Sequence, residues 1–144
     1  MKTLATKKKE GAKEPFVSFL LTEDNVLIMR WKGFVKGDLI KEAHESVLKY
    51  IQEHKVSGIV EDVVEFTGPF SEVNEWFINY WVPKALKIGL KKAAVVMSKN
   101  IFTQLSVQDL QENSTFKQLG LGYRIFGSLD NATSWLKENE LVNS

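Results

Sequence analysis

The sequence predicts one mixed α/β domain in which strands alternate with single helices behind an opening antiparallel hairpin. Three observations carry this. Residues 16–21 and 26–31 are β-rich runs separated by Thr22-Glu23-Asp24-Asn25, a polar stretch suited to a hairpin loop. After them Leu39, Ala43, Val47, Tyr50 and Ile51 share one face of a helix. Downstream, short apolar runs keep alternating with helical stretches, the pattern of a mostly parallel sheet flanked by helices.

Taken in order, Gly37-Asp38 opens the first helix, with Asp38 expected as its N-cap. Gly58 precedes a strand over residues 59–64, and Thr67-Gly68-Pro69 reads as a turn. Ser71 is expected to cap a Trp-rich helix. Pro83 lacks an amide donor, so that helix kinks or restarts there, and Gly89 ends it. Residues 92–97 form a strand whose Ala93-Ala94-Val95-Val96 run suits burial on both faces. A third helix starts at Ser98 or Asn100 and runs to about Glu112. Residues 123–126 form a further strand, and Asp130 is expected to cap a last helix carrying Ala132, Trp135 and Leu136. The predicted order is ββαβαβαβα.

The 144 residues are enough for a single domain with a hydrophobic core. No run approaches the roughly 18 apolar residues of a membrane span, so membrane insertion is not expected. The lysines near the start are not followed by an apolar stretch, which argues against a signal peptide. The absence of cysteine excludes disulfides and thiolate chemistry and suits a reducing cytoplasm, the expected location. Residues 1–14 hold five lysines against two glutamates with little apolar content, and read as a basic flexible tail. The domain proper is then residues 15–144. It carries fourteen basic and sixteen acidic residues, which argues against a nucleic-acid partner.

The stretch Glu75-Trp76-Phe77-Ile78-Asn79-Tyr80-Trp81-Val82-Pro83 carries the most unusual pattern. At ~100° per residue its apolar arc is wider than one core can cover, with Ile78 and Val82 on the far side from Trp76, Phe77, Tyr80 and Trp81. Such a helix is expected to be buried on two sides. Trp76, Ile78, Trp81 and Val82 are therefore candidates for an interface with a protein partner or a second copy. Alternatively, Trp76, Phe77, Trp81 and Phe102 line a pocket for a small apolar ligand.

Polar candidates fare less well. Ser71 could hold an anion at a helix N-terminus, but Glu72 and Glu75 follow it and repel added negative charge. His44 and His54 lie ten residues apart, outside the spacing by which two imidazoles share a metal on one helix. His54 is expected to pack or cap near its helix end, and His44 to lie at the surface. Glu61 and Asp62 point to opposite faces of their strand, and with Glu65 they find no phosphate loop or nucleophile elbow nearby. Lys84, Lys87, Lys91 and Lys92 suit a helix C-terminus without any ligand. No catalytic residue, cofactor or metal is expected.

Several stretches resemble a known family. Trp76…Trp81-Val82-Pro83-Lys84-Ala85…Gly89, the strand Ala94-Val95-Val96, Phe102…Leu105-Ser106-Val107 and Phe126…Leu129…Ala132…Trp135-Leu136 are similar to the uncharacterised bacterial branch of the STAS (SpoIIAA-like) family that is related to CRAL-TRIO lipid carriers. The resemblance covers most of residues 57–137. It implies a STAS fold and a non-enzymatic, regulatory role through protein–protein contact, with the second helix as partner face. Anti-anti-sigma factors of this family carry a phosphorylatable Asp-Ser-Ser/Thr-Gly sequence. Here the region reads Asp62-Val63-Val64-Glu65-Phe66-Thr67-Gly68-Pro69-Phe70-Ser71, without the Ser pair. Thr67 is the nearest equivalent for modification and Ser71 the next.

The expectation is thus an interaction domain that binds a partner or itself as a homodimer. The alternative is a carrier or sensor of a small apolar ligand.

Overall fold

The computed structural model describes residues 1–138. They form a six-stranded sheet whose strands lie in chain order: β1 (Lys2–Lys7), β2 (Val17–Leu21), β3 (Leu27–Gly33), β4 (Gly58–Phe66), β5 (Lys92–Val96) and β6 (Gly122–Phe126). The first three are antiparallel, and β3 to β6 run parallel. Helix α1 (Gly37–His54) joins β3 to β4. Between β4 and β5 lies a composite helix, α2 (residues 71–87). Helices α3 (Ile101–Glu112) and α4 (Ser114–Gln118) join β5 to β6, and α5 (Leu129–Leu136) follows. The chain is therefore an α/β protein with a mixed, mostly parallel sheet flanked by helices.

Strand order explains the layering. When parallel strands are added one after another in the same direction, right-handed crossovers leave every connecting helix on one face. Burial follows suit. The main core joins α1, α2 and α3 to one sheet face through residues such as Phe19, Met29, Val47, Ile59, Trp81 and Val107. A smaller core on the other face joins Leu20, Ile28, Val60, Ala94 and Val96 to Ala132 of α5.

Residues 2–7, expected within a flexible tail, are instead an edge strand. β1 pairs with β2 from Lys2 opposite Leu21 to Lys7 opposite Val17. Ladder pairing uses backbone groups, which every residue supplies, so a shortage of apolar side chains did not prevent it. The lysines gain a different meaning: charges on an exposed edge discourage pairing with other chains. Two also make local contacts. Lys7 lies 3.6 Å from Glu42 of α1, and Lys9 donates to the Phe34 carbonyl at 2.6 Å.

The caps of α1 and α5 differ from those expected. Asp38 lies in the first turn of α1 and Lys36 holds the cap position without a side-chain bond. The buried amide of Gly37 instead donates to the Glu72 carboxylate at 3.1 Å, a cap supplied from thirty-five residues away. For α5 the capping side chain is Ser128, which accepts from the Asn131 amide, with Asp130 in the first turn. Of the two starts expected for α3, Ser98 and Asn100, it is Asn100 that caps the helix, accepting from the amides of Phe102 and Thr103.

α2 explains the over-wide apolar arc. It is a 3-10 turn (Ser71–Val73), an α turn (Asn74–Trp76), a π segment (Phe77–Trp81) and an α segment (Val82–Lys87). The Val82 amide reaches back five residues to the Phe77 carbonyl. Pro83 has no amide to continue an α ladder and its ring crowds the carbonyl four residues back, so a widened turn just before it relieves that conflict. The extra residue re-registers the helix, and a constant 100° wheel no longer describes it.

Candidate functional site

The main core contains a group that such cores rarely hold. On β4, Ile59, Glu61 and Val63 alternate onto the face under the helices, while Val60 and Asp62 face the other way. Asp62 is buried and bonded to Arg30 at 3.2 Å. Glu61 thus places a carboxylate between the sheet and its helices.

His44 meets it. It lies on α1 between Ile40 and Val47 and is only 2% exposed, not at the surface as its sequence position led us to expect. Its ring stacks on Trp31 at 5.6 Å and takes the edges of Phe77 at 4.6 Å and Trp81 at 5.2 Å. His44 Nε2 lies 2.6 Å from one Glu61 oxygen, and Trp31 Nε1 donates to the other at 2.9 Å. His44 Nδ1 lies 2.8 Å from the Ile40 carbonyl. A carbonyl only accepts, so Nδ1 carries a hydrogen. The short Nε2–Glu61 contact then holds a second proton, on one partner or the other, and the couple is neutral as a whole. Trp81 Nε1 donates to the His44 carbonyl at 2.7 Å, tying α2 to α1 at the same point.

These groups border a cavity of about 70 Å³. Its walls are almost wholly apolar, with Trp31, Phe77, Trp81 and Phe116 among them. Besides the indole N–H groups of Trp31 and Trp81, both already bonded, the polar groups in the wall are His44, Glu61 and Tyr123. Tyr123 packs edge-on against Phe116 at 5.0 Å. Burial, and behind it the charge of Glu61, push the Tyr123 phenol well above its usual range, so it remains a neutral O–H. Among the described residues that hydroxyl has no hydrogen-bond partner.

The residues singled out from sequence are distributed unevenly around this site. Phe77 and Trp81 line it, as Val82 does. Phe102, expected in the lining, lies outside on α3 and is 57% exposed. Ile78, Trp81 and Val82, candidates for a partner interface, are 7%, 3% and 3% exposed and belong to the chain's own core. The second side of α2 is closed by this same chain: Ile78 shares a groove with Asp109 and Asn113 of the α3–α4 region. Only Trp76 keeps an outward part, stacked on Tyr80 at 5.3 Å with Lys84 over the Tyr80 ring.

Ser71 does not cap α2. Its hydroxyl bonds Ser106 at 3.0 Å and Asp109 at 3.1 Å, and a phosphoryl group there would face the Asp109 carboxylate. Thr67 is exposed on the turn after β4. His54 ends α1, and its carbonyl accepts from Asn25.

Sequence reasoning missed His44, Glu61 and Tyr123 as a group. One signal was present: His44 stands four residues after Ile40 and three before Val47, the middle of the buried stripe. Among the described residues no three His, Asp or Glu side chains are placed to share a metal ion, and no helix is long and apolar enough to cross a membrane. Compared with known proteins, the chain matches no family model and no curated protein.

Proposed function

We propose that this chain is a non-enzymatic, STAS-like domain that holds a small, mostly apolar molecule beneath α2, as a carrier or sensor. The observation that carries this reading is the aromatic cavity bordered by a neutral His44–Glu61 couple and an unpartnered Tyr123 hydroxyl. Cores are close-packed, and a void of this size forfeits contacts that a better-filled core would keep. The π segment of α2 forms one wall, and such segments are over-represented at functional sites. The STAS resemblance supports the same family of folds, and the lack of cysteine suits a cytoplasmic setting.

A xenon titration tests occupancy, because xenon enters apolar cavities without needing a polar partner. The indole N–H signals of Trp31 and Trp81 should shift saturably, while those of Trp76 and Trp135, away from the cavity, should not. If none of the four responds in the folded protein, the cavity admits no ligand and the reading is wrong.

A second reading, regulation through a protein partner or a second copy, draws on another surface. Ile101, Phe102 and Leu105 of α3 are 57%, 57% and 48% exposed, an apolar strip that the Trp-rich helix no longer provides. The strip predicts that the chain self-associates at high concentration and that Phe102→Ser with Leu105→Ser prevents it. Sedimentation equilibrium checks both, and a monomer throughout removes the homodimer form of this reading.

A further inference from the structure

We propose that the cavity selects an uncharged hydroxyl compound, a short aliphatic alcohol in size, whose O–H donates to the Glu61 carboxylate and accepts from the Tyr123 phenol. This rests on the ligand-binding reading above and names its ligand class.

The donor and acceptor count leads to it. One Glu61 oxygen accepts from Trp31 and the other meets His44, so each keeps one free lone-pair direction. Tyr123 offers both an unpaired O–H and a lone pair. A ligand that satisfies both groups must donate to a carboxylate and accept from a phenol, and a hydroxyl does both with one atom. The sheet places the two groups for it. Glu61 of β4 aligns with Val95 and, through it, Ile125, and Tyr123 lies two residues before Ile125 on the same face. By strand spacing and rise their Cα atoms are then roughly 12 Å apart, and both side chains stand off the same face of the sheet and border the same cavity.

Charge narrows the class further. His44 is the only cation candidate in the wall, and both its ring nitrogens are engaged. A carboxylate ligand would enter an apolar space beside Glu61 with no cation to receive it. An ammonium ligand would enter beside a couple that is already neutral, and would lose its hydration for little return. Size narrows it last. The space is about 70 Å³, near half of the ~150 Å³ apolar cavity known to take up benzene. An alcohol of about two carbons fits the space as it stands, and one of about four enters with α2 yielding at its π segment.

The experiment titrates the full chain with 1-butanol, butyrate and butylammonium, matched in shape and differing in charge, and follows the Trp31 indole N–H. That N–H donates to Glu61 and reports on the carboxylate directly. Butanol should saturate the shift, with affinity at least about tenfold above either ion. Tyr123→Phe should keep the fold and xenon uptake while weakening butanol about fivefold, the loss expected for one neutral hydrogen bond. Equal or tighter binding of butyrate or butylammonium overturns the hydroxyl assignment. So does a Tyr123→Phe variant that binds butanol as well as the parent. Xenon uptake without any butanol response overturns this assignment but leaves the apolar cavity standing. If neither xenon nor butanol enters, both fall together.

Discussion

Trp81→Ala should be the most damaging single truncation in the protein, costing about 3–5 kcal/mol of stability. Trp81 is 3% exposed, and its ring is wedged between α1 and the cavity. Its loss removes a buried indole from the core and enlarges an existing void, which the surrounding side chains can fill only in part. It also removes the donor to the His44 carbonyl, leaving α1 and α2 without that tie. Trp76→Ala is the control. Trp76 is only partly buried, and its loss should cost clearly less. Chemical denaturation of both variants checks the order, and equal losses would mean that α2 is anchored by its outer face after all.

His44→Ala should be nearly as harmful, at about 3 kcal/mol, because it leaves the Glu61 carboxylate in an apolar wall with only the Trp31 indole as partner. The informative comparison is His44→Leu together with Glu61→Leu. Replacing both members of a buried couple with apolar groups of suitable size is often neutral or stabilising. The double variant should therefore recover most of the stability that His44→Ala loses. It should also no longer respond to butanol, since the group that receives the hydroxyl is gone. Thermal melts and the indole titration read the two effects separately. A double variant as unstable as His44→Ala would show that the couple has no apolar substitute and serves the fold alone.

Much of the architecture was legible in advance because it rests on short-range pattern. The hairpin, the α1 stripe, the Ala93–Val96 run and the start of α3 near Asn100 each depend on residues close in sequence. What failed to show in the sequence depends on distant residues or on backbone alone. β1 is held by a ladder to β2, and composition is silent about ladders. The α1 cap comes from Glu72, and no local search around residues 36–40 could find it. The π segment changes the period itself, so a wheel drawn at a fixed angle turned Ile78 and Val82 outward when they face inward. The polar site suffered most. His44, Glu61 and Tyr123 come from α1, β4 and β6, and only the assembled sheet brings them to one cavity.

The chain order of the sheet bears on how the protein is made. Each strand pairs with the strand synthesised just before it, so no pairing has to wait for a distant segment. The sheet can extend one strand at a time as the chain emerges, each addition bringing its crossover helix onto the same face. The opposite face has no such running cover. Leu20, Ile28, Val60, Ala94 and Val96 form its apolar strip, and α5, which packs there through Ala132, is the last of the described helices to appear. Through most of synthesis the nascent sheet therefore carries one dry face and one sticky one. The interval before α5 docks is the period in which a growing chain is open to association with its neighbours or to capture by a chaperone.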